Sequence, residues 1–339
     1  MRIQHARPFS RRRFLGGVTL AGTAGLLGLH PRLTAAEPPP ETMKIRLLKG
    51  PVICMAPQYV AEELLQGEGF ADVKYVEASG PEGAAALASG KADIAMQFAA
   101  PSILRLDAGD PIVLLAGGHV GCLELFSHDR VRAIRDLKGK TVAVSALGSP
   151  PHVFLAMVMA YVGLDHRKDI STITSPEAEQ MRAFAEQQVD AVILSPPAAQ
   201  ELRAKQVGHV LINSSVDRPW SQYFCCIVAA NHDFVRRYPV ASKRALRAIL
   251  KSADICALEP DRAARALVDR GFTRRYDYAL QAMKDMPYGK WREYDPEDAV
   301  RFYALRLHEA GMIKSSPQQL IARGTDWRFV NALKKELKN

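Results

Sequence analysis

The chain has 339 residues, of which 48% are hydrophobic and 24% charged. That is enough for one large or two medium cores, and it excludes extended disorder. The formal charge is +9, but residues 1–36 hold six arginines and no lysine or acidic residue, so the remainder is near balance. A near-balanced chain offers no footprint for a polyanion, which excludes a nucleic-acid partner.

The first element is an export signal. Ser10-Arg11-Arg12-Arg13-Phe14-Leu15 precedes an apolar, glycine-rich run from Gly16 to Leu29, too short for a membrane span. Thr34-Ala35-Ala36 then offers small residues to a peptidase. The pattern resembles the twin-arginine type, so the twin-arginine export machinery and a periplasmic location are expected. Pro38-Pro39-Pro40 lies in a linker over 37–43.

After the linker one pattern occurs twice. The first copy predicts a strand at 44–48, a loop at 49–56, a helix from Pro57 to about Gln66, a strand at 73–77, a helix at 82–89 and a strand at 93–98. The second predicts a strand at 141–145, a loop at 146–151, a helix at 152–161, a strand near 170–173, a helix at 176–188 and a strand at 190–194. Asp93-Ile94-Ala95 and Asp190-Ala191-Val192 open matching strands. Short apolar strands alternating with helices imply βαβ units and two α/β lobes. Extended segments at 112–126 and 211–229 would join the lobes. Helices follow at 239–257, 261–271, 277–285 and 296–310, the last with Val300, Tyr303, Ala304 and Leu307 on one stripe, and Thr325-Asp326-Trp327 begins another.

In open α/β sheets ligands sit outside the carboxyl ends of strands. Ala146 to His152 joins a strand to a helix, with Gly148 for close approach and Ser149 at the helix start. It reads either as a cradle for an anionic group or as an ordinary N-cap. It is neither a Walker loop nor G-x-G-x-x-G. The loop from Lys49 to Pro57 places Cys54 and Met55 at the equivalent point; they line the cleft or pack beneath it. Phe98 to Pro101 and Ser195-Pro196-Pro197 end the third strands. His119 reads as a structural histidine, a ligand contact or a pH-sensitive hinge; it has no second ligand at metal spacing. Nothing reads as a nucleophile or an acid–base pair.

Cysteines number five: Cys54, Cys122, Cys225, Cys226 and Cys256, with no C-x-x-C spacing. In a strand, Cys225 and Cys226 point to opposite faces, which makes them poor joint metal ligands. They read as small buried apolar residues. Trp220, Gln222 and Tyr223, just before them, read as a ligand wall or as packing at the lobe junction.

Three elements carry a family resemblance: Gly90-Lys91-Ala92-Asp93-Ile94-Ala95, the stretch Asp136-Leu137-Lys138-Gly139-Lys140-Thr141-Val142, and Val189-Asp190-Ala191-Val192. With them the chain resembles periplasmic solute-binding proteins of ABC importers, in the group that binds nitrate, sulfonates, taurine or thiamine pyrimidine precursors. Gln188 stands one place before Val189, where that family often has Gly. The resemblance implies a two-lobed (type 2) periplasmic binding protein, α/β in class, with two crossover hinges and a helical C-terminal part. Lobe one would take 44–120 and 221–270, lobe two 121–220, and 271–339 would wrap on both. It further implies a monomer that closes over a small polar or anionic organic solute and docks on a membrane ABC permease. No catalytic residue, metal or cofactor is implied. The cleft positions carried over are Cys54, Met55 and Pro57; Gln97, Phe98 and Ala99; Gly118 and His119; Gly148, Ser149 and His152; Ser195 and Pro196; and Trp220, Gln222 and Tyr223. Two alternatives share the fold. One is a thiamine-pyrimidine-synthase-like enzyme, whose fungal members carry a longer, iron-binding cysteine cluster. The other is a receptor that presents its ligand to a membrane sensor.

Overall fold

The computed structural model describes residues 37–50, 52–78 and 81–338. The export signal expected over 1–36 lies outside the described residues. The first half of the chain runs β1 (Lys44–Lys49), a 3-10 turn (Ile53–Met55), α1 (Ala56–Tyr59), α2 (Glu62–Gly67), β2 (Asp72–Glu77), α3 (Pro81–Ala88), β3 (Ile94–Phe98), α4 (Ala99–Asp107) and β4 (Ile112–Val120). Then come β5 (Glu124–Ser127), β6 (Thr141–Val144), α5 (Pro150–Tyr161), β7 (Ser171–Thr174), α6 (Glu177–Ala185), β8 (Ala191–Leu194), α7 (Ala198–Ala204) and β9 (His209–Asn213). A 3-10 turn (Trp220–Gln222) leads into β10 (Phe224–Asn231). The C-terminal helices are α8 (His232–Arg237), α9 (Pro239–Leu258), α10 (Pro260–Asp269), α11 (Tyr276–Asp285), α12 (Pro296–Glu309), α13 (Pro317–Gly324) and α14 (Arg328–Glu336).

Two five-stranded sheets result, in the orders β2-β1-β3-β10-β4 and β7-β6-β8-β5-β9. In each, four strands run one way and one, β10 or β5, runs against them, fed in from the other half of the fold. The lobes are thus two-lobed α/β with two crossovers, at 121–123 and 214–223, as expected. The inner strands β8 and β10, and β4 at the end of its sheet, are buried along their whole length, while edge strand β7 is mostly exposed. That is why the inner strands read as unbroken apolar runs.

The repeated aspartates do one job in both lobes. Asp93 accepts a hydrogen bond from the Arg46 amide at 2.8 Å, and Asp190 accepts one from the Thr141 amide at 3.0 Å. Their own amides bond back to the Arg46 and Thr141 carbonyls. Each aspartate therefore pins the start of the third strand to the first.

Both crossover segments differ from the continuous strands expected. The first breaks at Gly121, whose φ of +70° only glycine adopts without strain, so β4 and β5 are separate strands. A Cβ on Gly121 would lie 2.0 Å from Ser215 Oγ, because the two crossovers touch there. The second breaks because Asp217 folds back, its carboxylate accepting from the Asn213 amide at 2.7 Å. The helix expected from Pro57 to Gln66 likewise divides at Val60-Ala61 into α1 and α2.

Ser214 fastens the crossing. Its hydroxyl accepts from the amides of Cys122 (3.1 Å) and Leu123 (2.9 Å) and donates to the Leu123 carbonyl at 2.8 Å. All three residues are buried. Replacing Ser214 by Ala strands two buried amides, so unfolding stability should fall by about 2–4 kcal/mol. Urea titration of Ser214→Ala, with Ser171→Ala on the exposed edge strand β7 as a control, checks this; equal midpoints would contradict it.

Candidate functional site

The carboxyl ends of the parallel strands meet between the lobes. The loop after β1 reaches across, and the Ile53 amide donates to the Pro196 carbonyl of the second lobe at 3.3 Å. Between the lobes lies a cavity lined by Phe98, Ala100 and Pro101 of the first lobe, Leu123 of the crossover, and Pro150, Phe154 and Met157 of the second lobe. Cys225 and Tyr303 complete the wall. Its volume is about 10 Å³, room for about one water, so the lobes are closed on each other. No charged side chain lines it.

The helix start that was read as an anion cradle is poor in donors. Ser149 is the N-cap of α5, and the next two residues are Pro150 and Pro151, which have no N–H. The Ser149 hydroxyl is buried and donates to the Ala146 carbonyl at 2.6 Å. It does not bond the helix amides. His152 Nδ1 accepts from the Gly148 amide at 3.1 Å, and its ring packs on His166. Burial, then His166, lowers the His152 pKa. The cavity sees instead Pro150, Phe154 and Met157, one face of α5 at helical spacing.

Of the expected cleft side chains, Phe98 lines the cavity. Ala99 is buried at the start of α4, while Gln97 is half-buried on the preceding strand. Gly118 lies under Met96 and the Cys226 backbone, a close approach within the sheet. Cys54, Met55 and Pro57 are buried beneath the first loop. Ser195 is buried, and Pro196 contributes the carbonyl that Ile53 meets. Trp220 is buried edge-on against Phe154, Tyr161 and Phe302. Tyr223 stacks on Phe302 at 3.9 Å, and Gln222 is exposed. The aromatic pair thus fixes α12 onto the second lobe. Sequence reasoning missed Leu123, Phe154, Met157, Cys225 and Tyr303. The α5 spacing was a usable signal for two of them; Tyr303 arrives from a helix far along the chain.

The cysteines gather at the same junction. The Sγ atoms of Cys54, Cys122 and Cys226 all lie within 4.8 Å of one another. Cys122 Sγ is 2.8 Å from Cys225 Sγ and 4.0 Å from Cys226 Sγ. Neighbouring cysteines were expected to face apart. They converge because the β10–β4 register shifts on both sides of Cys226, and such a bulge breaks strict alternation. Contact with Cys122, Cys226 and His119 holds the Cys54 thiol well below its usual range, whereas burial pushes Cys122 and Cys226 up.

A second cluster braces the outer edge. Arg203 of α7 pairs with Asp285 of α11 and, at 3.4 Å, with Glu124 of β5. Burial, only partly opposed by Arg203, pushes Glu124 up to about 7 from its usual 4.5. Its folded value exceeds its unfolded one, so its contribution is complete below pH 4.5 and lost as pH rises through 7. Melting temperature should accordingly fall over that window, and Glu124→Gln should flatten the fall. An unaltered profile in the variant would contradict the assignment.

Comparison with known proteins fits this geometry. The chain has the two-lobed fold of periplasmic binding proteins. The periplasmic nitrate-binding protein NrtA from Synechocystis PCC 6803 matches with a TM-score of 0.75 at 15% identity, over 89% of this chain and 90% of its own. The alkanesulfonate-binding protein SsuA from Xanthomonas axonopodis pv. citri, bound to MOPS, matches at 0.68 and 20% identity, over 86% and 100%. DszB in complex with biphenyl-2-sulfinic acid matches at 0.62 and 15% identity, over 87% and 100%. No curated protein matches in sequence. The model of the NMT1-like family matches residues 38–269, well over half of the chain, and the chain belongs to that family.

Proposed function

We propose that this protein is the periplasmic solute-capturing component of an ABC importer and that its solute is small and mainly apolar. The observation that supports this is the interlobe cavity, walled by side chains of both lobes and lined by no lysine, arginine, histidine, aspartate or glutamate. Cation-free walls with two proline-blocked helix positions disfavour a fully solvated anion such as nitrate, because its desolvation would go unpaid. An aromatic or aliphatic body fits Phe98, Phe154 and Met157, and the Tyr303 hydroxyl and Cys225 thiol offer a single polar end.

A cavity of about 10 Å³ cannot hold such a molecule, so the lobes must part to admit it. The two crossovers are the connections that bend. Breaking the Ile53–Pro196 contact opens the mouth; closing around a solute restores it and presents the closed form to a membrane permease. Export by the twin-arginine route would place the receptor in the periplasm. Among the described residues no helix is long and apolar enough to cross a membrane. Cys54 and His119 are buried outside the cavity wall.

The test is a thermal-shift panel of nitrate, short alkanesulfonates, aromatic sulfinates and sulfonates, and neutral heteroaromatics. The aromatic members should raise the melting temperature and nitrate should not. Ala100→Phe, which fills the cavity, should weaken binding of the best hit more than 100-fold while the variant stays folded. Tight nitrate binding, or a hit indifferent to Ala100→Phe, would contradict the proposal.

A further inference from the structure

We propose that Cys54, Cys122 and Cys226, with His119, form a binding site for a thiophilic d10 cation of the Zn²⁺ type. The three thiols come from three separate segments: the loop after β1, the first crossover and the start of β10. All are buried, as is the imidazole.

The spacing suits a metal. Tetrahedral zinc with bonds of about 2.3 Å holds its sulfurs about 3.8 Å apart. Here Cys122 and Cys226 are 4.0 Å apart, and all three sulfurs lie within 4.8 Å of one another. Small rotamer adjustments therefore place them around one ion.

His119 supplies an independent observation. Its Nδ1 lies 3.2 Å from the Val120 carbonyl, which accepts only if Nδ1 carries the proton. Nε2 is then a bare lone pair, and it is buried without a hydrogen-bond partner. A ring held by Nδ1–H to a backbone carbonyl, with Nε2 left open, is the usual arrangement of a metal-ligating histidine. It is the cross-strand partner of Cys226.

Ligation balances without an oxidant. Each thiol releases its proton as it binds, so three protons leave and three thiolates with one Zn²⁺ carry a net charge of −1. The ion satisfies Nε2 and offsets thiolate charge that burial otherwise penalises. Soft sulfur donors favour such a cation over Mg²⁺ or Ca²⁺. The bound ion ties the first crossover to the first lobe at Cys226, next in sequence to Cys225 of the cavity wall. This inference does not depend on the identity of the solute.

The sulfurs are inaccessible in the closed protein, so the test loads the ion during refolding under reductant. The complete mature chain is refolded with Zn²⁺, or with Co²⁺ as a spectroscopic stand-in, and passed over chelating resin. One ion per chain by native mass spectrometry, a raised melting temperature and a thiolate-to-cobalt charge-transfer band are expected. The double variant Cys54→Ser, Cys226→Ser should lose at least 100-fold in affinity and lose the band. Cys256→Ser, whose thiol lies outside the group, should keep both. Should the double variant fail to fold, the wild-type cobalt spectrum alone decides. A reduced, folded wild-type chain that takes up neither ion overturns the proposal. So does a band that survives the double substitution, or a Cys122–Cys225 disulfide that persists under reductant.

Discussion

The architecture hangs on the place where the two crossovers touch. At Gly121 and Ser215 the backbones pass too closely for a side chain, and the Ser214 hydroxyl satisfies both buried amides of the opposing strand. A crossing so tight in burial must satisfy its own polar groups, since water cannot reach them. It fixes where one sheet ends and the other begins. It also fixes what lies beside it: Leu123 and Cys225 in the cavity wall, and Cys122 in the sulfur cluster. Hinge, cavity and cluster are consequences of one packing constraint.

The C-terminal helices add a second constraint. α12 packs on α4 of the first lobe and α5 of the second, and Asp285 of α11 pairs with Arg203 of α7. Movement of the lobes must therefore slide these contacts as well as bend the crossovers. Trp220, Tyr223 and Phe302 make an aromatic bearing on which α12 rests. Edge-on and stacked rings tolerate small sliding while staying buried. A wider depression of about 380 Å³, lined by Tyr294, Glu297, Trp327 and Lys334 among others, is built wholly from the C-terminal part.

Much of the frame was legible in the sequence because it is local. Strand–helix alternation, and the paired Asp93 and Asp190, report short-range backbone needs, and the structure shows both aspartates in the same role. The site was less legible because it is assembled over distance. Cys54, Cys122 and Cys226 carry no common spacing, and only the crossing of the chain unites them. The strict strand alternation that separated Cys225 from Cys226 fails at a bulge, which no residue in that apolar run announces. Trp220 and Tyr223 looked like a ligand wall because they stand before a crossover strand; the partner that claims them, Phe302, lies in a helix about eighty residues on. Ser149 was read as a helix start that could cradle an anion; the two prolines that follow it leave those helix positions without amide donors.

The central claim is that the solute sits between the lobes, against Phe98, Phe154 and Tyr303. The most direct measurement is a crystal structure of the mature protein isolated gently from periplasm, with whatever small molecule it retains. The account predicts density for a mainly apolar molecule enclosed by those three side chains, with the lobes parted just enough to hold it. Density for the solute in the depression beside Tyr294 and Trp327, with the interlobe cavity still closed, would contradict it.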